Sequence, residues 1–193
     1  AWGSNYNGTL GNGNNTIINY PVAVSAANGL SALYGKTVVG MAAGYALSVA
    51  LCSDGTVATW GYNAYGQLGN SSTTNSNAPV AVNTASGTSA LYGKTVVAIA
   101  AGYYHAVSLC SDGTVVTWGY NNAGQLGNNT TTQSTVPVAV NTASGTSALY
   151  GKTVVAIAAG DYHTLALCSD GTVTAWGDNS FGDLGNNNSS QMK

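Results

Sequence analysis

The chain has 193 residues, 45% of them hydrophobic and only 5% charged, with 26 glycines and a formal net charge of −2. That length suffices for one domain with a sizeable core, and hydrophobic content recurring in strand-sized runs separates the chain from charge-rich disordered sequences. Four lysines (Lys36, Lys94, Lys152, Lys193), six aspartates and no Arg or Glu fall short of the cations that nucleic-acid binding draws on, and no apolar run approaches the ~20 residues of a membrane-spanning helix.

The chain opens inside a motif, "AWGSN", with no signal peptide, so the true N-terminus is expected upstream or removed by processing. Trp2 recurs as Trp60, Trp118 and Trp176, and Pro21 as Pro79 and Pro137, each at a step of 58 residues; 79–102 and 137–160 are identical. A fixed period of this length means stacked supersecondary units. The division is a partial unit 1–20, units 21–78 and 79–136, and an incomplete unit 137–193.

Within one unit, "TVVAIAAG" (95–102) is an apolar run of β-branched and small residues, which predicts a strand buried on both faces. "HAVSLCSD" alternates, with Val107 and Leu109 facing one way and Ser108 and Cys110 the other. Asp112-Gly113 supplies a tight hairpin turn, and "TVVTWG" is the returning strand. In "WGYNNAGQLG", Trp118 could bury ~150–250 Å², while Gly119, Gly124 and Gly127 suit sharp bends and close backbone approach. "VPVAV" reads as a short outer strand whose proline fits an edge. "NTASGTSALYGKT" is the crossover, with a helical turn expected at "TSALYG". Four antiparallel strands per unit, the small-residue strand innermost, predict all-β propeller blades, about three to four of them in a partial propeller.

The succession "VVAIAAGYYHAVSLCSDGTVVTWGYNNAGQLG" followed by "VPVAV" resembles the repeat of the regulator of chromosome condensation (RCC1) family, over essentially the whole chain. The resemblance implies seven-bladed propellers. The near-identical copies and Asn/Thr-rich loops are similar to bacterial members in long secreted or surface proteins, which implies an extracellular or cell-surface location. Seven blades at this period need about 400 residues, so the chain is expected to be a segment of a longer protein or to close by assembling with copies of itself through exposed strand edges.

Cys52, Cys110 and Cys168 share one repeat phase. Equivalent points on packed sheets lie roughly 10 Å apart, beyond disulfide reach, so these cysteines are expected to be free, buried fillers. His105 and His163 also share a phase, where the first copy has Leu47; two histidines on different blades do not make a zinc site, and a hydrogen-bonded structural role is expected. Asp54, Asp112 and Asp170 lie in the "SDGT" turns, where Asp is a turn residue. Asp161, Asp178 and Asp183 replace Tyr103, Tyr120 and Gln125 of the middle copy. They are weighed as a calcium cluster, which needs six to eight oxygens, against a solvated end unit; no metal or cofactor is expected.

Tyr45, Tyr62, Tyr65, Tyr103, Tyr104 and Tyr120 sit near predicted loops or strand ends. Tyrosine gives rigid amphipathic contact area for a protein or glycan, and packing between blades is the competing reading. No nucleophile elbow, P-loop or paired carboxylate at repeat phase occurs, so an enzyme is not expected. The leading expectation is a non-enzymatic interaction or structural module with an unidentified protein or glycan partner. Two alternatives come from the resemblance: inhibition of an extracellular enzyme by the tyrosine-lined face, and guanine-nucleotide exchange on a small GTPase. Exchange is expected to need a dedicated insertion and a charged interaction face, which the chain lacks.

Overall fold

Each apolar run of the repeat becomes a strand, and consecutive strands pair antiparallel across short turns. The computed structural model describes residues 1–187, 189, 190 and 192; Lys193 lies outside them. Among the described residues there are eleven strands in three sheets and no helix. The first blade runs β1 (Val38–Ala43), β2 (Leu47–Cys52), β3 (Val57–Gly61) and β4 (Ser76–Ala81) in sequence order. The second runs β5 (Val96–Ala101), β6 (His105–Cys110), β7 (Val115–Gly119) and β8 (Ser134–Ala139). The third has β9 (Val154–Ala159), β10 (His163–Cys168) and β11 (Val173–Gly177), with Met192 bridged to Gly177 where an outer strand would lie. A Gly3–Ile18 bridge makes the equivalent outer pairing ahead of the first blade. The 58-residue units are therefore offset from the sheets, since a unit starting at Pro79 begins in the outer strand of one blade and supplies the inner strands of the next.

Alternation in the second strand of each blade sends its side chains to two different neighbours. From β6, Ala106 and Cys110 join a core with Leu47, Val49, Leu51 and Trp118 against the first blade, whereas Val107 and Leu109 pack with Ala166, Cys168 and Trp176 against the third. Every residue of β6 and β7 is buried, because both faces of the middle blade are covered. Cys52, Cys110 and Cys168 are free and buried, and burial pushes the Cys110 thiol up to about 11.

The innermost strands depart from the expectation of burial on both faces. β5 is only half-buried beyond Val96, and β1 and β9 are largely exposed. The register shifts once in each, between Val38 and Gly40, between Val96 and Ala98, and opposite Leu167 and Cys168. A bulge leaves one residue out of the ladder, and the displaced residues Val39, Val97 and Val155 are exposed. Ile99 and Ala101 pack toward the first blade and Ala98 and Ala100 toward the third. The predicted helical turn at "TSALYG" is instead a chain of tight turns, with Tyr92 N–H donating to Ser89 O (3.2 Å) and Lys94 N–H to Leu91 O (3.1 Å); Gly93, at φ +68°, halts any helix there. This crossover covers the outer edge of the next blade, since Ala32 N–H donates to Pro79 O and Ala90 N–H to Pro137 O.

Antiparallel meanders put their turns at two ends. At one end lie the "SDGT" turns, where Asp112 Oδ1 accepts from Thr114 N–H (3.0 Å) and Oδ2 from Lys94 Nζ (2.6 Å). Asp54 with Lys36 and Asp170 with Lys152 repeat the pair. Lysine and threonine donors hold all three carboxyls below the ordinary carboxylate value, Asp112 at about 2. Three lysines and three aspartates are thereby neutralised in place.

Candidate tyrosine-lined binding face

The opposite end carries the segments after the innermost strands, "GYAL", "GYYH" and "GDYH", together with the "WGxN" segments that leave β3, β7 and β11. Backbone hydrogen bonds lace these segments together: Tyr62 N–H donates to Ala46 O (2.8 Å), Tyr120 N–H to Tyr104 O (2.9 Å) and Asp178 N–H to Tyr162 O (2.9 Å). Between blades, Tyr103 N–H donates to Asp161 O (2.9 Å). The tyrosines are thus mounted on a hydrogen-bonded frame rather than on free loops.

All six tyrosines singled out in the sequence, Tyr45, Tyr62, Tyr65, Tyr103, Tyr104 and Tyr120, fall in one network of ring contacts, joined by Tyr162. Tyr45 stacks on Tyr103 with centroids 4.0 Å apart, and Tyr103 stacks in turn on Tyr162 at 5.4 Å. Tyr104 contacts Tyr62, Tyr65 and Tyr120, and Tyr120 meets Tyr65 at 4.8 Å and Tyr162 at 6.3 Å. Six of the seven rings are half-buried, and Tyr45 is 68% exposed. They pack on one another and still present their rims to solvent. Tyr162 had a sequence signal, since it stands one period after Tyr104, but residue count alone does not tell a ring at a strand end from one between sheets.

Between these rings is an open cavity of about 420 Å³, lined by Tyr65, Tyr104, Tyr120 and Tyr162 and by Asn122, Ala123, Asp178 and Ser180. Asp178 Oδ1 accepts from Ser180 N–H (3.2 Å) and Oγ–H (2.7 Å). The phenols resist ionisation: Tyr104 is raised by burial first and then by neighbouring phenols, Tyr162 by burial, then by the Asp161 charge and then by neighbouring phenols, and Tyr103 chiefly by its hydrogen bond with Tyr45. Asp161, Asp178 and Asp183 all belong to this end of the third blade, but among the described residues no three or more His, Cys, Asp or Glu side chains group closely enough to hold a metal.

Three supporting devices fix the face from beneath. Asn121, fully buried, accepts Leu126 N–H on Oδ1 (2.9 Å) and donates through Nδ2 to Thr130 O and Thr132 O, clamping the following loop; Asn5 and Asn63 do the same. Sequence reasoning passed over these asparagines, although one stands three residues after the tryptophan in every copy. The second device is Trp118, whose Nε1–H donates to Gln67 O of the preceding blade (2.9 Å), as Trp60 does to Thr9 O and Trp176 to Gln125 O. Gly69 is required there, since a Cβ would lie 2.8 Å from the Trp118 ring. The third is His105, buried, with Nε2 3.1 Å from Thr164 Oγ1. Thr164 gives its own proton to Gln125 O (2.9 Å), so His105 must donate through Nε2. Burial first, and then the charge of His163, hold its pKa down at about 4.

The RCC1 repeat, described as "Regulator of chromosome condensation (RCC1) repeat", matches residues 1–51, 54–109 and 112–167. Among relatives, human E3 ubiquitin-protein ligase HERC2 is 38% identical over 166 residues, covering 86% of this chain and 3% of that protein. The Arabidopsis thaliana ultraviolet-B receptor UVR8 is 31% identical over 185 residues, 96% of this chain and 38% of that one. Human WBSCR16 superposes with a TM-score of 0.80 at 27% identity, covering 100% of this chain and 45% of that structure; Prp20p of Saccharomyces cerevisiae gives 0.76 at 25%, covering 97% and 42%. The chain thus spans less than half the length of each of these relatives. With the repeat matched over most of its length and the blades superposing on solved relatives, the chain belongs to the regulator of chromosome condensation (RCC1) repeat family.

Proposed function

We propose that the chain is a binding module and not an enzyme, and that its tyrosine face is the contact surface. The observation that carries this reading is the seven-ring network, laid on a rigid frame at one end of the blades. Half-buried tyrosines immobilised by one another lose little entropy on contact, which favours recognition. Partner binding is recorded for one relative of the same architecture: Prp20p, the yeast RCC1, has binding properties to Gsp1p and histones and is bound to Kap60 in a further structure. The cavity is wide and open, and its ring-lined wall suits adhesion to a protein or glycan.

A secreted or cell-surface setting is part of the proposal, supported by a surface that draws its polarity from Asn, Ser and Thr. So is continuation of the stack: Val173 and Phe181 of the third blade are 64% and 92% exposed, and a neighbouring blade, from a longer chain or a second copy, is the cover that fits. Light scattering separates the two, because only self-cover gives a discrete multimer of these 193 residues.

The test of the face is differential capture from the native extracellular fraction. A Tyr65→Ala/Tyr104→Ala/Tyr120→Ala variant is compared with a Tyr34→Ala/Tyr92→Ala/Tyr150→Ala variant, whose exposed tyrosines lie on the crossovers. A partner retained by the crossover variant and lost by the face variant supports the reading. A partner lost equally from both, or from neither, sinks it.

A further inference from the structure

We infer that Tyr45 and Tyr103 form an oxidative cross-linking site, at which a one-electron oxidant of the peroxide-driven haem peroxidase class joins the first blade to the second through a dityrosine bond. The inference stands apart from the binding-face reading, because it concerns the reactivity of one ring pair and needs no partner. Each of the two residues follows the glycine after an innermost strand, at the same phase of the repeat, so adjacent blades aim both side chains in one direction. Their rings lie 4.0 Å apart, centroid to centroid, and within 10° of parallel, closer than the roughly 4.5–7 Å of ordinary aromatic pairs. A hydrogen bond between the phenols sets the hydroxyls side by side, and with them the ring carbons that flank each hydroxyl.

Each ring gives one electron to the oxidant and its hydroxyl proton to water, leaving two phenoxyl radicals whose unpaired spin rests partly on the carbons ortho to oxygen. Those spins pair to form one carbon–carbon bond between Cε of Tyr45 and Cε of Tyr103. The ring hydrogens displaced from these carbons move to the oxygens and restore both phenols. One hydrogen peroxide takes up the two electrons and two protons and leaves as two waters. The new bond grows from the π lobes, perpendicular to each ring plane, so a face-to-face pair already lies on the line of attack. Reacting atoms poised to combine stand about 3–3.5 Å apart. Tyr45 is 68% exposed, and an exposed side chain moves fast enough to close the remaining gap. The same exposure admits the oxidant.

The other ring contacts of the network lack this alignment. Tyr103 meets Tyr104 at 84°, Tyr62 meets Tyr65 at 78° and Tyr65 meets Tyr120 at 61°, which turns a ring edge toward a ring face, and Tyr103 and Tyr162 stand farther apart at 5.4 Å. These rings serve as a relay, since an oxidised ring draws an electron from a touching neighbour until the parallel pair traps the radical by coupling. Two radicals held in one folded chain meet at an effective concentration far above that of a second molecule, so the bond forms within the chain. It closes a loop of one repeat period, 58 residues, which lowers the entropy of the unfolded chain.

The experiment treats the 193-residue protein, at low micromolar concentration, with a haem peroxidase and hydrogen peroxide, and follows dityrosine fluorescence, chain mass on denaturing gels and tryptic peptides by mass spectrometry. Cleavage after Lys36, Lys94 and Lys152 places Tyr45 in 37–94 and Tyr103 in 95–152. The expected product is a monomer in which these two peptides are joined with loss of two hydrogens, fragmentation placing the bond at Tyr45 and Tyr103, and it should unfold at a higher urea concentration than the untreated protein. Tyr45→Phe and Tyr103→Phe each keep the stacked ring and remove a phenol, and each is expected to lose the joined peptides, whereas Tyr34→Phe, on a crossover, retains them. An unchanged yield in Tyr45→Phe, a bond mapped to another ring pair, or products joined only between chains through the exposed Tyr34, Tyr92 and Tyr150 overturns the site. So does the absence of dityrosine in a mixture where added N-acetyltyrosine couples. Oxidation in urea should abolish the preference for this pair, and an equal preference in the unfolded chain would mean that the stacked geometry does not direct the bond.

Discussion

Gly69 and Trp118 form the joint between the first and second blades, and a double-mutant cycle on them measures how blades are locked. Trp118 is fully buried, so Trp118→Ala should cost about 3–5 kcal/mol in lost burial and cavity, with Gln67 O left without the indole donor. Gly69 has φ +63°, and a Cβ there would sit 2.8 Å from Trp118 Cδ1 and Nε1. Gly69→Ala should therefore cost about 1–2 kcal/mol for the left-handed backbone, plus roughly 1–3 kcal/mol for forcing the indole aside. The backbone cost survives removal of the indole and the steric cost does not. The double variant should thus be about 1–3 kcal/mol more stable than the sum of the two losses predicts. Urea unfolding of the four proteins, with Trp2→Ala as control because Trp2 is 66% exposed, provides the numbers. Additivity within about 0.5 kcal/mol, or a Trp2→Ala loss as large as that of Trp118→Ala, would refute the joint.

Other residues give sharper signatures in pH and local stability. His105 is held neutral, with its pKa lowered from 6.5 to about 4; the unfolded chain binds the extra proton between those values, so stability is full above pH 6.5 and falls as pH drops toward 4, by up to about 3 kcal/mol. His105→Leu, the residue found at the equivalent Leu47, should flatten that window in a melting-temperature profile, and an unchanged slope would contradict the burial assignment. Asp112 contributes in a lower window, present above its ordinary 3.8 and lost as pH falls through about 2; because the pair is half exposed, Asp112→Asn should cost no more than about 1 kcal/mol at pH 7, and a larger loss in urea melts would count against a solvent-screened pair. Asn121→Ala strands Leu126 N–H and two loop carbonyls, predicting a loss of about 1–3 kcal/mol and faster proteolytic cleavage within 128–133; cleavage at the wild-type rate would mean that the clamp is dispensable.

The strand meander was legible because every signal agreed: the alternation of "HAVSLC", the Asp-Gly turn and the edge proline each name the same register. What escaped was set by relations between blades. Val97 looks like the rest of its apolar run, and only the bulge opposite Leu109 and Cys110 turns it outward. The buried asparagines were hidden for a different reason. Asn in a glycine-rich stretch reads as a turn residue, and its role here is decided by carbonyls nine and eleven residues further on. The tyrosines were nameable one by one, but their convergence was not, since Tyr45, Tyr103 and Tyr162 meet only when three blades are stacked.

The two ends of the blades also differ in how strictly the repeat is kept. At the turn end, Lys94, Thr95 and "SDGT" recur unchanged in all three copies, each copy closing the same ion pair. At the other end the copies diverge: Tyr45, Tyr103 and Asp161 share one phase, Tyr62, Tyr120 and Asp178 another, Tyr65, Ala123 and Phe181 a third. The variation is not dictated by the cores beneath, which repeat the same leucine, valine, cysteine and tryptophan positions from one interface to the next. Blade stacking demands identity, since each blade must fit its neighbour on both faces, whereas a recognition surface gains from difference, because three identical patches would present one contact three times. The strictness of the repeat elsewhere is therefore what makes the tyrosine-to-aspartate gradient, running from the first blade to the third, interpretable as a surface with a direction: aromatic at Tyr45 and Tyr103, acidic at Asp161 and Asp178.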